Sequence, residues 1–401
     1  MGKYLLFLLL IFSLDISAEK LIAVDLSDYG KVDEESLDVT LKRAIDDIEG
    51  KRLKLPPLPI VVEDVIINGK NNFAIEGDTA FVINCRNFII QDCNNFEISG
   101  LYIKGLVRKF ARFNIIGDCS IFKIHDCLFD SEKGKDGHNT FYGIHIITDT
   151  KKNDYGYHNS PRNFIVCKNV VKHTRYDGIL AHAYCSDFVI EKNKIIDSEC
   201  IGIEVEGRLG GLKTTTVHPC KMATIRNNEM RDCGDWGILL MWADKVKVYN
   251  NSCINSYGAF LSIGCTSLYV KNNMFEGRRK GFEISQEFYN VENGINNHVV
   301  VTGNTIIAMA RGDNRGVLDI RHARNIDIKN NMIIALYRER SAYVSLASCQ
   351  NVTIKKNEFM FVDEPLKYLI FKSNVPSPET NRNVPDLDIK DLKIQEIRIR
   401  K

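Results

Sequence analysis

The chain has 401 residues, 44% of them hydrophobic and 26% charged, with a formal net charge of +2. This is the composition of an ordinary soluble protein with ample core. Its near-neutral balance gives no global electrostatic argument for nucleic acid or for an anionic membrane as partner, and no P-loop, dinucleotide fingerprint, zinc-type Cys or His pair or GxSxG elbow occurs.

At the start, Lys3 is followed by the apolar run Tyr4 to Leu14 and then Asp15-Ile16-Ser17-Ala18. This is the pattern of a secretory signal peptide cleaved after Ala18. The run is short for a bilayer span, no later segment could serve as one, and no Cys follows to carry a lipid. The expectation is a secreted or periplasmic protein, off the membrane once residues 1–18 are removed.

One helix is expected next, at about 33–49. Asp33 caps it, Glu34 and Glu35 suit its positive end, Leu37, Leu41, Ile45 and Ile48 share one face, and Gly50 ends it. An amphipathic helix there can cover the open end of a solenoid.

Between Asn169 and Asn357 a single phrase recurs: apolar, any, Val or Ile, two spacers, Asn. It reads FIVCKN, FVIEKN, ATIRNN, VKVYNN, LYVKNN, VVVTGN, IDIKNN and VTIKKN, ending at Asn169, Asn193, Asn228, Asn251, Asn273, Asn304, Asn331 and Asn357. A fixed repeat of this length marks a solenoid, because one unit cannot bury its apolar face until neighbours stack on it. A second signature sits in each repeat: YGIHII, DGILAH, IGIEVE, WGILLM, YGAFLS, KGFEIS and RGVLDI. Alternation behind a Gly is a short strand with one face buried. Short strands without intervening helical periodicity predict an all-β, single-stranded parallel β-helix, its coils about 4.8 Å apart. The recurrent Asn then forms an internal amide ladder.

Cys85, Cys93, Cys119, Cys185, Cys220, Cys265 and Cys349 each stand three residues before the first apolar residue of a strand, a slot filled elsewhere by Ala243 and Ala323. A slot shared with Ala is small and apolar, so a buried thiol stack is expected rather than disulfides or metal ligands. After about residue 375 the repeat is lost, and 376–401 is expected to be a tail or cap.

The segments DYGKVDEESLDVTLKRAIDDIEGKRLKLPPLPI, VIINGKNNFAIEG and NFEISGLYIKG, with the repeat phrase, resemble the pectate-lyase-like superfamily of right-handed β-helix proteins over most of residues 25–375. The resemblance implies a right-handed coil and a carbohydrate-related function, but no single chemistry. The polygalacturonase and alginate epimerase Asp motifs are absent. RGVLDIRHARNIDIKNN, with Arg321 and His322, is similar to the Arg-His signature of the chondroitinase B and alginate lyase family. The preceding coil departs from that family, having Glu283 but Ser285 in the second place and no Lys at the position of the base.

The exposed positions of the Gly-led strands read His145, Leu180 and His182, Glu204 and Glu206, Leu239 and Met241, Phe260 and Ser262, Glu283 and Ser285, Asp319 and Arg321. Long insertions, Asp149 to Arg162, Gly207 to His218 and Glu287 to Asn297, follow the same strands, as expected for a binding edge. His182, Glu204, Glu206 and His145 are the candidate catalytic residues. Glu204 and Glu206, about 6.8 Å apart along one strand, suit acid and base work on a glycosidic bond; alternatively they hold calcium while a base removes the α-proton of a uronate. Arg208, Tyr176, Asp177, Trp236, Glu283, Asp319 and Arg321, with Tyr257, Arg175 and Asp235 beside them, are candidate substrate contacts; Trp242 is placed in the core. The expected partner is a polysaccharide. Lyase is slightly preferred to hydrolase because His145, His182, Arg208 and Arg321 mix with carboxylates, and a non-catalytic glycan binder or surface structural protein is the competing class.

Overall fold

The structure, a computed structural model, describes residues 21–30, 37–77, 82–105, 111–131, 137–149, 156–207, 217–285, 295–309, 316–336, 342–361, 368–373, 393–395 and 398–400. The expected signal peptide, the helix start at Asp33 to Glu35, Arg208 and most of 376–401 lie outside them. Among the described residues no helix is long and apolar enough to cross a membrane.

Strands pair in parallel and each coil stacks on the next, so the chain winds as a parallel β-helix with three walls. The first wall carries the repeat phrase, as in Arg162–Cys167, Ser186–Glu191, Cys220–Arg226 and Thr266–Lys271. The second follows the ladder Asn, as in Val170–Thr174, Lys194–Ser198 and Glu229–Arg231. The third is the Gly-led wall: Phe141–Ile147, Ile179–His182, Ile203–Glu206, Trp236–Met241, then the later parts of Ser252–Ile263 and Met274–Ser285 and the start of Leu318–Lys329.

The spacers of the repeat phrase have a conformational reason. Lys168, Lys192, Asn227, Asn250, Asn272, Asn330 and Lys356, each immediately before its ladder Asn, have positive φ near 55°, and Gly303 holds the same place at 68°. This left-handed residue turns the chain from first wall to second, which is why Asn and Gly recur there. Each ladder Asn then ties three coils together. Asn251 Nδ2 donates to the Ile225 carbonyl at 2.9 Å and to Asn273 Oδ1 at 3.0 Å, and Asn251 N donates to the same Oδ1 at 2.9 Å. The arrangement repeats from Asn169 to Asn357, and Cys127, which holds the slot one coil earlier, donates its N–H to Asn169 Oδ1 at 3.1 Å.

Inside the first wall Phe73, Phe96, Phe122, Phe164 and Phe188 stack with centroids 5.2, 4.8, 4.8 and 4.7 Å apart, the spacing of the coils themselves. The cysteines are free thiols. Cys93, Cys119, Cys185, Cys220, Cys265 and Cys349 share a row with Ala243 and Ala323. Cys85 does not: it pairs with Val62 and Gly105 on a different wall, because its strand, Val82–Gln91, turns a corner partway along. Burial pushes Cys93 and Cys265 up to about 11 and Cys85 and Cys349 to about 12, so these four stay protonated and serve as small apolar groups.

The helix spans Leu37–Asp46 and buries Leu37, Leu41 and Ile45, with Ile48 beyond its end, as the periodicity requires. At the other end, Lys393–Gln395 pairs with Thr353–Lys355 and Arg398–Arg400 with Glu358–Met360. Part of the segment expected as a tail therefore adds strands to the last coil.

Removing one rung should be costly, because three buried groups lose a partner at once. Asn251→Ala is expected to lose about 2–4 kcal/mol of stability in urea unfolding, against less than about 0.5 kcal/mol for the exposed Lys247→Ala. Equal costs for the two would remove the ladder from its structural role.

Candidate functional site

The pairing register of the third wall sets two outward rows. One runs Asn114, His145, Leu180, Glu204, Leu239, Leu261, Glu283, Asp319, Ser345. The other runs Ile147, His182, Glu206, Met241, Ile263, Ser285, with Arg321 and Ala347 two coils further on. His182, Glu204 and Glu206 therefore stand side by side on one outer wall, as expected.

One coil corrects the alternation. Leu261 and Ile263 face outward, whereas Phe260 and Ser262 are fully buried, Ser262 donating to Asn296 Oδ1 at 2.7 Å. Counting from the Gly fails by one residue, because Gly258 pairs with Trp236 and Ala259 takes the place that Gly237 holds in the previous coil. Gly258 answers to a different demand. A Cβ there would meet the Trp236 ring at 2.2 Å, so the glycine makes room for the indole.

The wall is more buried than a solvated face. Glu204, Glu283 and Asp319 are 6%, 5% and 4% exposed. Asp177 is buried too, and burial holds its carboxyl above the usual range while its contact with Glu204 opposes the rise. Ionising both of two carboxyl groups in such contact brings strong repulsion, which favours a proton between them. The Asp177 backbone crosses where a Cβ on Gly143 would lie 1.9 Å from its carbonyl oxygen, and φ of +110° also demands glycine at 143. Glu206 faces His182, Oε2 to Nε2 at 3.6 Å. Asp235 is likewise raised, by burial against the pull of Lys280 and with repulsion from Glu283.

The cations are engaged. Lys280 donates to Glu283 Oε2 at 2.7 Å and lies over the Trp236 ring at 5.3 Å. Arg321 donates to Asp319 Oδ2 at 2.6 Å, and Ser345 to Asp319 Oδ1 at 2.6 Å. Lys280 was not among the expected site residues; the cluster RRKG before the strand was its only sequence signal. Among the described residues no three His, Cys, Asp or Glu side chains converge on a metal-sized point.

The aromatic candidates divide. Tyr176, 46% exposed, sits edge-on to Tyr142 at 4.7 Å, beside the Asp177–Glu204 pair. Trp236 is not an exposed platform: it is 6% exposed and packs with Ile201, Leu239, Met241, Leu261 and Trp242 in an apolar cluster separate from the main core. Trp242 belongs to this outer cluster as well, not to the interior. Tyr257 lies under Arg279, 5.4 Å from ring centroid to guanidinium. Arg208 lies outside the described residues, and His322, at the corner with positive φ, is buried.

His145 begins the row. Its Nε2 donates to the Tyr142 carbonyl at 3.1 Å. Burial pushes it down to about 4, with repulsion from Arg112 and His182 adding to the fall. It is therefore a neutral imidazole at pH 7.

A family model for a right handed beta helix region matches residues 210–333. No curated protein sequence matches this chain. Among solved structures, the A-module of the mannuronan C-5 epimerase AlgE6 of Azotobacter vinelandii is similar at 12% identity, covering 94% of this chain and 99% of that one, with a TM-score of 0.63. A mutant of the periplasmic alginate epimerase AlgG is similar at 12% identity, 94% and 84% coverage and a TM-score of 0.58. A DFA-IIIase mutant from Arthrobacter chlorophenolicus A6, in complex with DFA-III, is similar at 13%, 94% and 93% coverage and 0.54.

The His145 shift carries a sign. The unfolded imidazole titrates near 6.5 and the folded one near 4, so the unfolded state takes up the proton first as pH falls. The stability contributed by the neutral ring is present above about 6.5 and lost toward 4. Asp177, Asp235 and Asp319, all raised, act in the opposite direction but are common to wild type and variant. His145→Asn should accordingly lose less stability than wild type between pH 6.5 and 4 in urea unfolding; parallel profiles would contradict the assignment.

The parallel register of the coils and the likeness to these structures together identify the chain as a right-handed parallel β-helix.

Proposed function

We propose that this chain binds a polysaccharide along the third wall and cleaves it by acid–base hydrolysis. The observation that carries the reading is the Asp177–Glu204 contact, in which burial holds the Asp177 carboxyl above the usual range. Such a pair can deliver its proton to a glycosidic oxygen, which an isolated surface carboxylate could not do. Glu206 lies two residues further along the same strand, about 6.8 Å away, with its Oε2 3.6 Å from His182 Nε2. That separation falls within the inverting range of about 6.5–9.5 Å, leaving room for a water that Glu206 deprotonates on the opposite side of the sugar. The exposed Tyr176 beside the pair offers a face for a sugar ring.

The similar epimerase structures are named for mannuronan and alginate, which supports a carbohydrate partner coarsely. The preference for a lyase rests on His145, His182, Arg208 and Arg321 mixing with carboxylates. Arg321 is held by Asp319, and Arg208 lies outside the described residues, so the wall as described is rich in carboxylates and its cations are neutralised. A second reading, β-elimination from a uronate, draws on His145, a neutral imidazole suited to proton abstraction; calcium on Glu204 and Glu206 would there offset the substrate charge. The non-catalytic alternative predicts binding alone.

A panel of neutral and uronate-containing polysaccharides, followed for reducing ends and for the ultraviolet absorbance of unsaturated ends, with and without a chelator, separates the three. Reducing ends alone are expected. Asp177→Asn, Glu204→Gln and Glu206→Gln should each lower turnover about 10²–10⁴-fold with unchanged unfolding midpoints. Unsaturated ends that vanish on chelation would replace hydrolysis by elimination, and full turnover in all three variants would remove the proposed centre.

A further inference from the structure

At the corner where the third wall turns into the first, a cavity of about 380 Å³ is lined by Trp242, Asp244, Thr266, Asn297 and Arg324, among others. Its size falls at the small end for ligand sites, enough for about one sugar ring. The four polar residues form one row, in successive register on four coils: Asp244 with Thr266, Thr266 with Asn297, Asn297 with Arg324. The cavity adjoins the wall, because Trp242 follows Met241, which is in register with Glu206, and Arg324 lies three residues after Arg321.

The polar groups in the cavity are not equivalent. Thr266 donates to Asp244 Oδ1 at 2.6 Å, which gives that carboxylate an internal partner. Asn325 Nδ2 donates to Asn297 Oδ1 at 2.9 Å, so the Asn297 amide nitrogen is left to donate. Arg324 is different: its Nε is buried and has no hydrogen-bond partner, and no carboxylate pairs with it among the described residues. Arg324 as a whole is half-buried, and a carboxylate or sulfate in the cavity would accept its forked N–H groups. The Trp242 indole, 2% exposed, closes the apolar side of the cavity.

We infer that this corner cavity is an accessory subsite for a sugar unit bearing a carboxylate or sulfate, held by Arg324, with Trp242 in the cavity wall. The inference rests on the proposed use of the adjoining wall as a glycan groove. It adds a substrate class: a heteropolysaccharide whose cleaved bond lies over the carboxyl pair and whose acidic unit or branch reaches the corner. The Arg324 charge then selects the chain that the wall cuts, without taking part in the cutting.

The chain has two tryptophans, so Trp236→Phe leaves Trp242 as the sole indole reporter. Glucuronate, glucose 6-sulfate and glucose are titrated into this protein while its fluorescence is followed, and calorimetry on the wild type repeats the titrations without the substitution. The expected result is saturable binding of at least one charged sugar, with glucose tenfold weaker or more; the two charged probes separate carboxylate from sulfate. Arg324→Gln should weaken the charged sugar about ten- to a hundredfold, and Arg324→Lys should restore only part of the loss. Equal binding of glucose, no effect of Arg324→Gln, or no response to either charged sugar overturns the inference. Cleavage by the unaltered wall beside a silent cavity sinks the subsite alone, whereas full turnover in the Asp177 and Glu204 variants sinks the groove reading and leaves sugar binding at the corner intact.

Discussion

The fold depends on the asparagine ladder at one corner of the helix. Strand pairing alone tolerates slippage, since parallel strands of similar composition can pair in more than one register. A buried amide tolerates none: a slip of one residue would leave Nδ2 and Oδ1 of every Asn from Asn169 to Asn357 without partners in an apolar setting. The ladder thus determines which side chains of successive coils lie opposite one another. The juxtaposition of His182 with Glu206, and of Leu180 with Glu204, follows from that distant corner.

Given that register, the third wall has an unusual electrostatic character. Its carboxylates are buried, and each meets a different companion: Glu204 meets Asp177, Glu206 meets His182, Glu283 meets Lys280 and Asp319 meets Arg321. Three of these companions are cations or can become cations, and they neutralise charge. The Asp177–Glu204 contact instead sets two carboxyl groups together, with burial holding Asp177 above the usual range, which separates this point chemically from the rest of the row.

The apolar cluster next to the pair sharpens this effect. Leu239, Met241, Leu261 and Trp236 form an outer patch continuous with Ile201, distinct from the helix interior. Water displaced by such side chains lowers the local dielectric, which strengthens both the pull of Lys280 on Asp235 and the rise of Asp177. Gly258 contributes by leaving space for Trp236, and the one-residue offset in that coil follows from it.

Much of this was legible in the chain itself. The repeat phrase and the alternation behind each Gly carried the solenoid, its walls, the Asn ladder, the small Cys slot and the outward direction of His145, His182, Glu204 and Glu206, because period and burial are local properties written in residue types. The alternation misled at Phe260 and Ser262, where a glycine serves a neighbouring indole, and at Cys85, whose strand turns a corner; neither cause is local. Asp177 reads only as a flanking contact because it acts across coils from a turn that carries no periodicity, and Lys280 carries no periodic signal because it precedes the alternating part of its strand. The sequence by itself determined the coil and the face on which chemistry would stand. Only the tertiary structure decided which carboxyl groups touch and which aromatic rings are covered, because those depend on contacts between residues that winding brings together from 20 or more positions apart.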